Sequence, residues 1–410
     1  MKNLVMGVAT GYGWNDLEPF VISCKNNCPG ADLILFVDNI SKFTENKLET
    51  GGGVQLLPIP ENLKSMTIVC SRFIMYKDFL DAHAEYDKVF VSDVRDIIFQ
   101  GDIFKVYPEQ DKFISCSNCC YFIKDEPTNT QWIKNNFSDA EYDKIKNNRV
   151  AAAPMLYGTR KEMMIFLLSM IKFFKPQPLW GDDQAIINYL VYNRLIPVKK
   201  IFESTFDKGD FVNLDSIYPH IINDKIATSP NKFPKVLHQW YLYDHLNPLV
   251  DTFYREKDFQ PDEKFTDIQS LLDQISCLVQ HRKFNAATKI FLDFIFYEGN
   301  VNSYADKILK IAQLILKCYT VDAEILLFVV QKTLANIFNS NEFTQNLDIN
   351  KFVKQIELMY KLCVDSEKNF HFVNPSFKIF IKNMLITFAE VLYAKNQAQP
   401  ARKYLADWGN

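Results

Sequence analysis

The 410-residue sequence contains no run of about 18 uncharged apolar residues, so no transmembrane helix is expected. Its opening, Met1–Thr10, has too short an apolar stretch for a signal peptide. It runs instead into Gly11-Tyr12-Gly13, the pattern of a first β-strand and its turn. An excess of basic charge is also missing. Lys and Arg number 46 against 49 Asp and Glu, a formal net charge of −3. That balance gives no general polyanion-binding character and argues against nucleic acid as the main partner. The nine cysteines are an odd count and cannot close a complete disulfide framework. Without a secretory signal, they are expected as reduced thiols in a cytoplasmic protein, at most peripheral at the inner face of a membrane. Histidine is scarce, six in all, so a ligand histidine must be argued from its context.

What remains is ordinary globular material, 48% hydrophobic, 14% aromatic and 23% charged. At roughly 100–200 residues per domain, the length points to two or three domains. Up to Tyr254, strands and helices alternate. Leu4–Ala9, Asp32–Val37, Val54–Ile59 and Tyr86–Ser92 read as strands, and Asp16–Cys28, Ser71–His83 and Ala185–Tyr192 as helices. This alternation predicts an α/β domain over 1–256. Its sheet is mostly parallel and flanked by helices, with ligands at the carboxyl ends of strands. A charged stretch with Pro261 follows, and 262–410 is expected to be all-α. Helices are predicted there over Asp267–Val279, Ala286–Phe296, Ala305–Cys318, Asp322–Phe338, Ile349–Cys363 and Ser376–Ala394. They suit a bundle or helical-hairpin repeats, a surface for protein or oligomer contacts.

The richest segment is Tyr86–Phe104, where a buried strand runs into Asp93-Val94-Arg95-Asp96. Two carboxylates at one strand terminus repel unless a divalent cation or Arg95 offsets them, and hard cations take oxygen ligands. An isolated Asp-x-x-Asp is more often turn and cap chemistry, but the flanking strands favour a ligand role here. His238 follows the short apolar run Val236-Leu237 and precedes Trp240. It is either a third ligand, which suits Mn²⁺ better than Mg²⁺, or a histidine packed beside Trp240 and Tyr241. Gly181-Asp182-Asp183 opens a helix, and two adjacent aspartates exceed what one cap requires. Cys116-Ser117-Asn118-Cys119-Cys120 lacks a second pair of ligands suited to structural zinc, so these cysteines read as small apolar residues. Trp180, Trp240 and Tyr241 are the aromatics best suited to stack on a ligand ring.

Four segments occur in order: Leu4-Val5-Met6-Gly7-Val8-Ala9-Thr10, the Asp93–Asp96 turn, Gly181-Asp182-Asp183-Gln184-Ala185-Ile186-Ile187-Asn188 and Val236-Leu237-His238-Gln239-Trp240. Together they resemble the GT-A-fold, metal-dependent nucleotide-sugar glycosyltransferases over roughly residues 1–250. The resemblance implies transfer of a hexosyl group from a UDP-sugar donor to a glycan, protein or lipid-linked acceptor. The implied cofactor is Mn²⁺ (or Mg²⁺) on Asp93, Asp96 and His238, with Asp93 a ligand or a ribose contact. It assigns the nucleotide base to the Thr10-Gly11-Tyr12 turn. Asp38 is either ribose-facing or a turn residue, and Arg72, opening the helix Ser71–His83, is either a diphosphate or sugar contact or a surface salt-bridge partner. Asp183 and Gln184 become the catalytic pair, with Asp182 in support. One departure stands out: the family's acidic signature is Asp-x-Asp, whereas here it is Asp-x-x-Asp, with Val94 where a carboxylate would fall. That valine favours the alternative of a catalytically degenerate nucleotide-sugar-binding or scaffold protein. A nucleotidyltransferase ranks lower, because Thr10–Gly13 carries no basic residue.

Overall fold

The strand–helix alternation folds around a seven-stranded sheet in the computed structural model, which describes residues 2–106, 115–196, 200–203, 209–256, 268–280 and 290. The described strands are β1 (Lys2–Thr10), β2 (Ala31–Asp38), β3 (Gln55–Pro58), β4 (Tyr86–Ser92), β5 (Ile97–Phe99), β6 (Ser115–Phe122), β7 (Arg149–Thr159), β8 (Lys200–Glu203), β9 (Phe211–Asn213), β10 (His220–Ile222), β11 (Lys225–Ala227) and β12 (Val236–His238). The large sheet has the order β3-β2-β1-β4-β7-β6-β8. Its pairings are parallel except at β7, which runs antiparallel to both β4 and β6. A three-stranded sheet, β5-β12-β9, lies beside it, and β10-β11 is a hairpin.

Continuous apolar runs such as Leu33–Phe36 are buried, as expected of strands covered on both faces. Leu4, Met6, Ile34 and Val89 share one core with Phe73, Met163, Phe166 and Ile187 from helices Ile68–Ala82, Arg160–Lys172 and Asp182–Tyr192. Helix Trp14–Asn27 packs against β5, with Phe20 and Phe99 ring centroids 5.6 Å apart. A separate core of Ile98, Val212, Leu237, Trp240 and Leu249 supports the small sheet.

Three features differ from the sequence expectation. Ile97–Phe99 does not continue the main sheet; it crosses to pair with β12. β7 drew no strand assignment, because its alanines and Pro154 are weak β-formers, yet it lies between β4 and β6. The helix expected at Ser71–His83 spans Ile68–Ala82, so Arg72 sits inside it and does not open it.

The chain divides into two compact units, Met1–Ile40 with Glu45–Lys257 and Ser41–Thr44 with Asp258–Asn410. The end of the first unit is clasped to its start. Arg255 Nη1 donates to Glu18 Oε2 at 3.1 Å, and the Glu256 N–H donates to Glu18 Oε1 at 2.7 Å. Glu18 and Arg255 are both buried. In the second unit helix Ile268–Gln280 is described, and Thr44 Oγ1 donates to Asp273 Oδ2 at 2.8 Å. Apart from Ile290, which is helical, the five helices expected beyond it lie outside the described residues. Cys24, Cys28, Cys70 and Cys277 are buried free thiols. Among the described residues, no helix is long and apolar enough to cross a membrane.

Candidate active site

The acidic turn follows β4 directly, and two backbone pairings bring it to His238. β12 pairs antiparallel with β5 so that His238 lies opposite Ile97, and the Gln239 N–H donates to the Asp96 carbonyl at 2.8 Å. His238 Nε2 thereby stands 3.2 Å from Asp96 Oδ2 and 3.8 Å from Asp93 Oδ2. The residues between the aspartates leave in other directions. Val94 is buried against β1 at Gly7, where an added Cβ would lie 2.1 Å from Val94 Cγ1. Arg95 reaches Asp16 at 3.6 Å and lies 5.7 Å from the Tyr241 ring. The longer Asp-x-x-Asp spacing thus still presents both carboxylates on one side.

One ligand atom from each of Asp93, Asp96 and His238 lies within 4.8 Å of the others. The imidazole is oriented from behind. β9 pairs parallel with β12 and places Asn213 beside His238, whose Nδ1 is 2.8 Å from Asn213 Oδ1. With the amide oxygen accepting, Nδ1 carries the proton and Nε2 faces the carboxylates, the arrangement that second-neighbour partners give a ligand histidine. Burial alone would push the His238 pKa down. The Asp96 charge and hydrogen bond, with Asp93 and Asp215, hold it above its ordinary value. Burial would likewise raise Asp96, but His238 and Arg95 bring it below the usual carboxylate range. Two carboxylate oxygens and one imidazole nitrogen fit Mn²⁺ better than Mg²⁺, which prefers an all-oxygen shell.

Arg72 links this turn to the helix carrying Asp183. Its Nη1 is paired with Asp93 Oδ1, and its Nη2 donates to Asp183 Oδ2 at 3.0 Å. Although burial favours the neutral form, these two carboxylates hold the guanidinium firmly charged. Asp183 is itself buried, and burial raises its pKa against the opposing pull of Arg72. Thr10, Tyr12, Arg72, Asp93, Asp96, Asp183, Gln184 and His238 all line one cavity of about 460 Å³ at the carboxyl ends of β1 and β4. Burial pushes the Tyr12 phenol up to about 12, with Arg95 opposing the rise and Asp93, Asp96 and Asp16 adding to it.

Other sequence candidates sit elsewhere or are otherwise engaged. Asp38 does not line the cavity and pairs with Lys64 at 3.1 Å. Gly11, at φ 68°, forms the turn and donates its N–H to the Asp38 carbonyl, so it shapes the site through backbone geometry. Asp182 faces away from the cavity: Asn136 Nδ2 donates to its Oδ1 at 2.7 Å and the Leu179 N–H to its Oδ2 at 2.9 Å. Gln184 lines the cavity, yet its amide is committed to β7. The Ala153 N–H donates to Oε1 at 2.9 Å, and Nε2 donates to the Ala151 carbonyl. It closes the edge of β7 beyond the end of β4, with Asn188 doing the same at Ala151. Trp240 is buried in the second core and is not available to a sugar. His245 is remote, its Nε2 on the Pro219 carbonyl.

Gln239 and Trp132 are cavity residues that were not among the sequence candidates. Gln239 adopts a left-handed conformation, φ 63°, which nothing in its local sequence announces. Trp132 comes from helix Pro127–Asn136, far along the chain from the other cavity residues.

No family model matches the chain, and no curated protein sequence matches it. Among the solved structures that resemble the chain are two distant ones. One is galactosyltransferase LgtC in complex with donor and acceptor sugar analogs, 12% identical, with 62% of this chain and 97% of that chain covered at a TM-score of 0.36. The other is an active-site mutant of LgtC, 13% identical, with 58% and 87% covered at a TM-score of 0.35. At these values the likeness carries no argument about activity, which has to rest on this chain's own residues.

Proposed function

We propose that the first unit is a GT-A-like, metal-dependent glycosyltransferase that moves a hexosyl group from a UDP-sugar to an acceptor hydroxyl. The observation that carries this reading is the meeting of Asp93, Asp96 and His238 at one point beside Asp183 and Arg72. In the reaction, the bond from the anomeric carbon to the diphosphate oxygen breaks, a bond to the acceptor oxygen forms, and the hydroxyl proton passes to the departing diphosphate. Asp93, Asp96 and His238 would hold Mn²⁺ (or Mg²⁺), which when bound supplies a Lewis acid for the charge developing on the diphosphate. Thr10 and Tyr12, at the end of β1, hold the nucleotide base. Arg72 fixes the acidic turn and Asp183 relative to each other, so metal ligands and reacting carbon keep a set separation. Asp183, anchored through one oxygen, presents negative charge to the oxocarbenium-like centre. Gln184 is a positioning residue, keeping the helix that bears Asp183 on the edge of β7.

The test is UDP-sugar hydrolysis assayed with Mn²⁺ and then with excess EDTA, alongside His238→Ala. Turnover that requires Mn²⁺ and disappears in His238→Ala is expected. Turnover indifferent to chelation would overturn the proposal.

A further inference from the structure

We propose that Trp180 and Trp132 form an acceptor platform, on which a pyranose ring of a neutral saccharide stacks beside Asp183; this rests on the transferase reading above. Trp180 is 66% exposed and its neighbour Leu179 64%. The two side chains are adjacent exposed apolar surface, the kind that marks a ligand site, and Trp180 lines the cavity that contains Asp183. Trp132 lines the same cavity.

The turn between them is built around the second indole. Gly181 has φ +90°, and a Cβ on it would lie 2.3 Å from Trp132 Cδ2 and Cε2. Both the backbone conformation and the closeness of the ring therefore demand glycine there. Asn136, one turn beyond Trp132 on the same helix, donates to Asp182 Oδ1 at 2.7 Å. Helix Pro127–Asn136 and the Trp180–Asp183 turn are thus pinned to each other, which fixes the Trp132 ring and the backbone carrying Trp180 relative to the helix that bears Asp183.

The chemistry selects the occupant. An indole face is electron-rich and attracts the polarised C–H groups on the apolar face of a sugar, leaving the ring hydroxyls free to reach a carboxylate. The guanidinium groups of this cavity are already engaged, Arg72 with Asp93 and Asp183 and Arg95 with Asp16. An anionic acceptor would find Asp183 and no uncommitted cation among them, so a neutral saccharide is favoured.

The experiment uses the full chain with UDP and Mn²⁺, and saturation-transfer NMR with methyl β-glucopyranoside, methyl β-galactopyranoside and octanol as probes. Transfer to the pyranose ring protons is expected in the wild type. Trp180→Ala should weaken glycoside binding about tenfold, whereas Trp180→Phe, which keeps an aromatic face, should stay within about threefold. Glycoside binding unchanged in Trp180→Ala would overturn the platform, as would octanol binding with no glycoside contact, which would mark a lipid chain as the occupant. Wild-type protein that binds UDP with Mn²⁺ but contacts no glycoside sinks the platform alone. Failure to bind UDP with Mn²⁺ removes the transferase reading beneath it.

Discussion

Replacing Asn213 by Ala removes the oxygen that accepts from His238 Nδ1 at 2.8 Å while leaving Asp93, Asp96 and His238 in place. Loss of such a partner typically weakens metal binding by about 10–100-fold, or roughly 1.4–2.7 kcal/mol. The structure explains why the penalty applies here. His238 is held in register by β12, but its ring is free to change tautomer or rotate once nothing accepts from Nδ1. Asn213→Asp tests the same contact in the opposite direction, since a carboxylate there strengthens the hydrogen bond and the basicity of Nε2. The assay is Mn²⁺ titration followed by electron paramagnetic resonance of the free ion, with thermal melts in EDTA to establish that each variant is folded. Affinity is expected to stay at or above the wild-type value in Asn213→Asp and to fall well below it in Asn213→Ala. An Asn213→Ala protein that is folded and binds Mn²⁺ within about twofold of wild type would refute the orienting role, because a twofold change is only ~0.4 kcal/mol.

Proton linkage gives a second expectation. His238 has its pKa raised, so its Nε2 lone pair is available above that value and taken up by a proton below it. Mn²⁺ affinity should be flat at high pH and fall by about tenfold per unit once pH drops below the raised value, which lies above the ordinary ~6.5. A midpoint below about 6 in the titration would contradict the shift. Gly7→Ala should cost about 1–3 kcal/mol through overpacking against Val94 and weaken Mn²⁺ binding by displacing the acidic turn; adding Val94→Ala should restore both in melts and titrations. Arg72→Met leaves the buried Asp183 carboxylate without its counter-charge, so urea unfolding should show a loss of about 3 kcal/mol or more at neutral pH. Protonation of Asp183 should recover part of that loss as pH falls, and a loss independent of pH would argue against the ion pair. Arg255→Met should likewise cost about 3–5 kcal/mol by stranding buried Glu18, again read by urea unfolding.

The sequence revealed those features that depend on nearby residues. β1, β2 and β4 are apolar runs bounded by turn residues, and Asp93 and Asp96 stand out because a buried strand rarely ends on two acids. Apart from Arg72, which sits within helix Ile68–Ala82, the candidates that share the cavity lie at or just beyond strand ends or in the first turn of a helix, where an α/β sheet gathers its ligands. What stayed hidden depends on contacts between distant segments. Asp182 and Asp183 are chemically identical neighbours, and only Asn136 and Arg72 distinguish the one that closes a turn from the one that faces the cavity. Gln184 was a catalytic candidate through the resemblance alone, and no local pattern shows that β7 outruns β4 and bonds this side chain along its edge. Trp240, beside His238 in sequence, is turned into the second core, whereas Trp132 reaches the cavity from another helix.

The β5–β12 pairing bears on how the protein matures. A nascent chain that has emerged only through Asn213 has both aspartates but no histidine to join them, and Glu18 still awaits Arg255. On the function proposed above, the three ligands therefore come together late in synthesis, after the strand bearing His238 has docked. Products cut short before His238 are expected to bind Mn²⁺ more weakly than the full chain.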